Sequence, residues 1–325
     1  MDRRNFLLTA AAAAATTQLP AHAQGARYPN GPIKLVVPFT AGGPTDAVVR
    51  VVSTPMQEVL GQPLVIDNKP GAGSRIATEF VVKAPPDGYT LLVNGLTGSL
   101  LPLLTQLPFD PNTALVPVTQ VCTIPYVLVV RQDLPVKTIK EFIDYARANP
   151  GKLSYGSATG TGGATHFLLE LFQDLTGTKS VLIPYKGSSQ AAIDMAAGRV
   201  DFMFDTYGSA APFIKDGRAR PIAVTSPQRS SLLPQIPTLI EAGLPKFDVA
   251  TWIGLLAPAG TPQTAIDALH RAATEALKKP SVQQALRDLG TDPINANGAQ
   301  LAARRKADTD IFGPLIERLG LTHKF

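Results

Sequence analysis

The amino-acid sequence predicts an α/β protein made of two successive βαβ series followed by a helical tail. Three observations carry this. Apolar runs at 33–37, 63–67 and 90–93 alternate with helical periodicity near 45–60 and 74–83, the pattern of a parallel sheet. The alternation returns with strands at 153–157, 181–185, 200–204 and 221–225 and helices at 167–175, 188–197 and 207–215. Each series also carries a Gly-rich strand-to-helix turn, at 40–44 and at 157–166.

Composition bounds the function classes. The chain has 325 residues, 45% hydrophobic and 17% charged, enough for two domains with buried cores. The net charge of +5 is scattered. The one tight basic cluster, Arg304, Arg305 and Lys306, falls in a helical pattern, and no aromatic and basic residues interleave, so no nucleic-acid partner is expected. Arg3 and Arg4, an apolar stretch at 7–15 and Ala21-His22-Ala23 read as an export signal, residues 1–23, removed from the mature protein. The Arg-Arg-x-Phe-Leu order is similar to a twin-arginine signal. No later stretch is long enough to span a bilayer, so the expected location is the periplasm. Cys122 is the only cysteine; no internal disulfide and no lipid anchor are expected.

In chain order, the run at 33–37 feeds a helix through the turn at 40–44. Pro55 predicts a kink or break in that helix. Residues 68–73 form a second Gly-rich turn, 85–89 a strong turn, and 94–105 a polar loop. Two apolar segments follow, at 116–122 and 126–130. Thr138-x-x-Glu141 is a capping box opening a helix to about Ala148. A strand at 252–257 precedes three helices, the first starting at Thr261-Pro262 and the others at the boxes Ser281-x-x-Gln284 and Asn297-x-x-Gln300. Gly290 and Gly320 are the expected stops.

The two Gly-rich turns are the candidate ligand site. In the first, Phe39, Thr40, Ala41, Gly42 and Gly43 precede a helix start and Asp46 follows. Glycines let a ligand approach the main chain, and a helix start offers free N–H groups and a positive dipole end. The plain alternative is a turn with Asp46 as its cap. In the second, Thr159, Gly160, Thr161, Gly162 and Thr165 supply hydroxyls and backbone N–H groups. No Lys-Ser or Lys-Thr closes it, so it is not a phosphate P-loop. His166 either polarises a ligand or is structural. Asp205 ends a strand and is either a hydrogen-bond acceptor for the ligand or a helix cap. Lys186 either adds charge at the cleft mouth or faces solvent. Asn94 and Thr97 line the loop after the third strand. His166, His270 and His323 are isolated in sequence, and no nucleophile or metal motif occurs, so no enzyme, metal or cofactor is expected. Two facing α/β units make a cleft, and an exported protein of this form reads as a solute receptor closing by hinge motion.

Nine segments in order carry a specific likeness: PFTAGGPTD (38–46), NKPGAGS (68–74), APPDGYTLL (84–92), LPVKTIKEF (134–142), NPGKLSYGSA (149–158), IPYKGSSQA (183–191), GRVDFMFD (198–205), AVTSPQRSSLLPQIPTLIEAGLP (223–245) and WIGLLAPAGTP (252–262). Across its mature length the chain resembles the Bug-type (tripartite tricarboxylate transporter) periplasmic solute-binding proteins. The resemblance implies a two-domain periplasmic-binding-protein fold, the type II Venus-flytrap arrangement with crossing hinge strands, divided as 24–125 plus 251–325 and 126–250. It implies a monomer that takes a small carboxylate between its domains and delivers it to a membrane permease. The loops at 40–46 and 159–165 match those that hold the ligand carboxylate, partly through water, and Asp205 matches the position that helps select the distal group. The loop at 157–166 is one residue longer than usual, Ser74-Arg75 stands where small residues and Asn are usual, and 94–98 differs from the commoner loop. A periplasmic ligand sensor without transport is the alternative, and a hydrolase a weaker third reading.

Overall fold

The computed structural model describes residues 28–185 and 187–324; the export signal and Lys186 lie outside the described residues. The first lobe opens with β1 (Ile33–Val37), α1 (Pro44–Leu60), β2 (Leu64–Asn68), a 3-10 turn (Ala72–Ser74), α2 (Arg75–Val82) and β3 (Thr90–Asn94). Strand β1 lies between β2 and β3, parallel to both. Helices α3 (Leu96–Leu104) and α4 (Pro111–Ala114) lead into β4 (Leu115–Arg131). The second lobe follows with α5 (Ile139–Ala148), β5 (Ser154–Ser157), α6 (Ala164–Thr176), β6 (Val181–Pro184), α7 (Ser188–Ala196), β7 (Phe202–Thr206), α8 (Tyr207–Lys215) and β8 (Ala219–Val224). Here β5 takes the central place, parallel to β6 and β7. The chain closes with β9 (Ala250–Pro258), α9 (Gln263–Lys278), α10 (Pro280–Asp288), β10 (Asp292–Asn297) and α11 (Gly298–Arg318).

The apolar segments at 116–122 and 126–130 are halves of one strand. Strand β4 is 17 residues long. Its first half pairs with β9 and β10, its second half with β7 and β8, all antiparallel. Pro117 and Pro125 lack the N–H a ladder needs; register shifts between Pro117 and Thr119 and between Gln120 and Cys122 accommodate the first. Both sheets therefore share one strand, and each parallel triad is joined to it through an antiparallel neighbour or directly.

Each lobe has its own core. In the first, Ile33, Leu35 and Val37 pack with Val48, Val52 and Met56 of α1 and with Leu269 and Ala273 of α9. In the second, aromatic rings dominate: Phe142 lies 4.9 Å from Phe202, Tyr155 5.1 Å from Phe202 and Phe204 5.7 Å from Phe247, spacings that favour edge and offset contacts. Cys122 is buried in β4, and burial pushes its thiol up to about 12, leaving it protonated and inert.

Three expectations needed correction. Residues 94–105 form helix α3 rather than a loop, because Leu96, Leu100 and Leu101 bury one face, and α11 packs against this helix. Asn94 makes this possible by accepting the Gly95 N–H at 2.6 Å, while a Cβ at Gly98 would collide with its side chain. Helix α1 runs unbroken through Pro55, which is buried with Val52 and Met56; their packing outweighs the lost hydrogen bond. The box at Ser281 does not form, since α10 starts at Pro280 and has no side-chain cap. The box at Asn297 forms in full. Strand β10 has no counterpart in the sequence reading, and its burial is too irregular to give a period.

A buried polar group ties the crossing strands to the last helix. Trp252 Nε1 donates to Asp308 Oδ2 at 2.8 Å, and Arg304 pairs with Asp308 at 2.8 Å and with Asp248 at 3.0 Å. Further along, Phe312 packs on Phe167 of the second lobe at 6.1 Å, so α11 straddles both lobes. Asp308 has no exposed surface. Removing one member of such a buried set leaves a desolvated cation and an orphan indole N–H. Asp308→Ala is expected to lower unfolding free energy by about 3 kcal/mol in urea titration, and Asp308→Asn, which keeps an acceptor for Trp252, by less.

Candidate functional site

The carboxyl ends of the two central strands, β1 and β5, lead into turns of the same construction. Gly42 and Gly162 take left-handed backbone at φ 79° and 80°. Each is followed by an extended glycine, Gly43 (φ −75°, ψ 170°) or Gly163 (φ −92°, ψ 174°), that N-caps α1 or α6 with no side-chain cap bond. The left-handed glycine then donates its N–H to the side chain four residues on: Gly42 to Asp46 Oδ2 at 2.9 Å, Gly162 to His166 Nδ1 at 3.0 Å. A Cβ at Gly163 would strike Thr159. Only glycine meets both demands.

The side-chain acceptors carry opposite partners. Asp46 pairs with Arg50, four residues later, at 2.8 Å, and accepts from Asn68 Nδ2 at 3.0 Å. The Arg50 hydrogen bond, opposed by burial and helped by Gly42 and Asn68, holds the Asp46 carboxyl at about 2. His166 faces Glu170, also four residues later, at 3.6 Å. Because Nδ1 accepts from Gly162, the imidazole is neutral with its proton on Nε2, a tautomer assigned from the donor. Burial lowers its pKa, against the pull of Glu170.

The structure therefore divides the candidate residues by role. Asp46 and His166 brace the turns. Thr165 braces the second turn too: its hydroxyl meets Ser157 Oγ at 2.9 Å and Thr159 Oγ1 at 2.8 Å and accepts the Thr159 N–H at 3.0 Å. Asn94 holds the start of α3. Phe39, Thr40, Ala41 and Gly42 are exposed beyond β1, with Gly43 half-buried. Thr97, Thr159, Thr161 and Gly162 line one cavity of about 560 Å³ between the lobes, while Gly160 closes its turn by donating to Ser157 O at 3.2 Å. At that cavity, Thr165 N donates to Thr159 Oγ1 at 3.0 Å and His166 N to Gly163 O at 3.0 Å, which leaves the Ala164 N–H as the first-turn donor of α6 with no acceptor among the described residues, and Thr161 is exposed with no hydroxyl partner among them. Helix start and hydroxyl together suit an anion.

Asp205 lies at the end of β7. Ser188 Oγ donates to its Oδ1 at 2.7 Å and Thr206 N at 2.8 Å, while its buried Oδ2 has no partner among the described residues. Desolvation raises its carboxyl to about 6, and the two hydrogen bonds pull it back only in part. An orphan buried carboxylate oxygen is costly unless a donor reaches it.

Sequence reasoning missed the cavity's other wall: Ala72, Gly73 and Arg75 on one side, Leu100, Leu101 and Leu104 of α3 below, Tyr126 and Phe167 beyond. The departure at Ser74-Arg75 was the available signal. The helical character of α3 hid the rest.

Residues 48–321 match the tripartite tricarboxylate transporter family receptor. The chain belongs to this family of periplasmic solute receptors. It is 39% identical over 319 residues to a UPF0065 protein from Pseudomonas sp. strain P51 encoded in the tcbD-tcbE intergenic region, covering 97% of this chain and 94% of the relative. It is 36% identical over 289 residues to BugT of Bordetella pertussis, covering 88% of each. Among solved structures, the periplasmic binding protein BugD aligns with a TM-score of 0.72 at 35% identity, over 91% of this chain and 99% of its own. An R. palustris protein solved with adipate aligns at 0.75 and 33% over the same shares. These receptors have the two-domain periplasmic-binding-protein fold, which the shared β4 and the interlobe cavity reproduce here.

Acid should loosen both turns of this receptor. Asp46 is depressed from 3.8 to about 2 on folding, so its contribution is complete above about pH 4 and is lost as pH falls toward 2. Protonated His166 can no longer accept from Gly162, and a lowered folded pKa removes stability as pH falls below its unfolded value of 6.5. Asp46→Asn is therefore expected to melt lower than the parent at neutral pH, with the gap closing in melts taken near pH 2.

Proposed function

We propose that the protein captures a small carboxylate in the cleft and delivers it to a membrane permease of the tripartite tricarboxylate type. The observation that carries the reading is the pair of matching glycine turns, each braced from within by its own side chain at position i+4. Bracing leaves the Thr161 hydroxyl and the Ala164 N–H free for a ligand, so the anion is held by backbone and hydroxyl dipoles without a full countercharge. The turn at 39–43 is the opposing jaw, reaching the ligand through its backbone. Asp205 helps select among ligands: its orphan Oδ2 accepts from a ligand hydroxyl or amine. Similar proteins solved with adipate and with malate support the ligand class.

The moving bodies in this reading are 24–125 with 251–325, and 126–250. Support comes from β4, which pairs with β9 up to Pro125–Ala250 and with β7 from Tyr126 onward. Residues 1–23 direct export, by a twin-arginine route in view of Arg3-Arg4, and the mature chain works in the periplasm as a monomer.

A thermal-shift screen against mono-, di- and tricarboxylates, amino acids and aromatic acids tests the reading. A bound carboxylate at a hundredfold excess over Kd is expected to stabilise the fold by about 2.7 kcal/mol; melts moved only by neutral sugars or cations would overturn it. Asp205→Ala is expected to reorder affinities across that panel with little change in melting temperature, and an unchanged order would remove Asp205 from selection. Trp252, the only tryptophan, sits buried where the strands cross, so its emission should shift on saturation with the ligand found.

A further inference from the structure

The proposed anion cradle accounts for part of the lining of the interlobe cavity. Much of the rest is apolar, from Leu100, Leu101, Leu104, Tyr126 and Phe167. Arg75 is the only charged residue among those lining it. Its guanidinium is held from one side: Nε donates to Glu79 Oε1 at 2.7 Å. The two terminal nitrogens have no acceptor among the described residues, and together they form the planar fork that fits a carboxylate. Glu79, drawn below its ordinary range by Arg75, stays ionised and keeps the guanidinium in place.

The backbone that delivers Arg75 is unusual. Gly71, Ala72, Gly73 and Ser74 follow one another in left-handed conformations, at φ 129°, 46°, 58° and 77°. Two of the four carry a Cβ, which makes the conformation costly, and such residues persist where the surroundings impose them, often beside ligands. An ion pair between surface helix residues four apart does not require this turn. A turn that sets Arg75 against the cavity wall does.

We infer that Arg75 is the counter-ion for a second anionic group, and that the ligand class is an elongated dicarboxylate with an apolar body. This rests on the reading of the cleft as a carboxylate site and deepens it. One carboxylate lies against Thr161 and the start of α6. The hydrocarbon body covers the leucine and aromatic wall, and the second carboxylate meets the Arg75 fork. A short dianion such as malonate leaves the apolar wall wet. A monocarboxylate of full length covers the wall but leaves Arg75 without a new partner.

Isothermal titration of the purified protein with pimelate and suberate, heptanoate and octanoate, and malonate separates these cases. Each long dicarboxylate is expected to bind about tenfold or more tighter than the monocarboxylate of equal length, and malonate weakest. Arg75→Gln should weaken pimelate and suberate about tenfold and leave heptanoate and octanoate within about twofold, so that the ratio collapses; Arg75→Lys should restore part of it. Because Arg75 and Glu79 form a half-exposed pair four residues apart on one helix, the variants should melt close to the parent. An unchanged ratio in Arg75→Gln, or malonate matching pimelate, overturns the role of Arg75 while leaving the carboxylate receptor standing. If no carboxylate binds the parent at all, the receptor reading fails and this inference with it.

Discussion

The site depends on one interaction made twice. A left-handed glycine at the end of a central strand gives its N–H to a side chain four residues later, Gly42 to Asp46 and Gly162 to His166. With that bond in place, the chain can turn from strand to helix in a few residues and cap the helix with a second glycine that has no side chain to fill the space in front of it. The start of α6 is then open at Ala164, whose N–H remains unspent, while those of Thr165 and His166 close on Thr159 and Gly163. The acceptors differ in charge, and so do their partners, Arg50 and Glu170. The shared geometry therefore comes from the glycine bond, and the ion pairs only support the acceptor.

Strand β4 sets the second constraint. Because it belongs to both sheets, the two parallel triads cannot be positioned independently, and the ends of β1 and β5 keep a fixed relation through its ladder. In the proposed closure of the cleft, twist in β4 and β9 and the group formed by Trp252, Arg304, Asp308 and Asp248 take up the motion. Trp252 and Asp308 are buried, Arg304 and Asp248 only partly so, and every member of the group has a partner. It resists shear between the crossing strands and α11 while leaving the lobes linked by few covalent segments, a combination suited to a hinge.

Selection within such a site divides into a general part and a particular one. Backbone N–H groups and hydroxyls recognise a carboxylate in any ligand that carries one. In the proposed reading, the walls contributed by α3, the strained turn at 71–74 and the orphan oxygen of Asp205 distinguish one carboxylate from another.

Much of this was legible in the sequence. Period and turn chemistry placed β1, β3, α8 and the Asn297 box with little or no error, because each is settled by residues within a few positions of one another. The Gly-Gly pairs marked both jaws for the same reason. The roles of Asp46, Thr165 and His166 as braces were only half legible: an acceptor four residues beyond a glycine is a local relation, but whether it faces the turn or the ligand depends on how the turn closes. What tertiary structure alone decided involves residues far apart in the chain. The continuity of β4 comes from its pairing with β9, more than a hundred residues later, and α3 is a helix because its leucines have α11 to pack against. Arg75 faces a cavity because α3, α6 and β4 meet across from it. Local sequence fixes which backbone shapes are affordable at each turn; burial, which is shared among distant segments, decides which side chains meet.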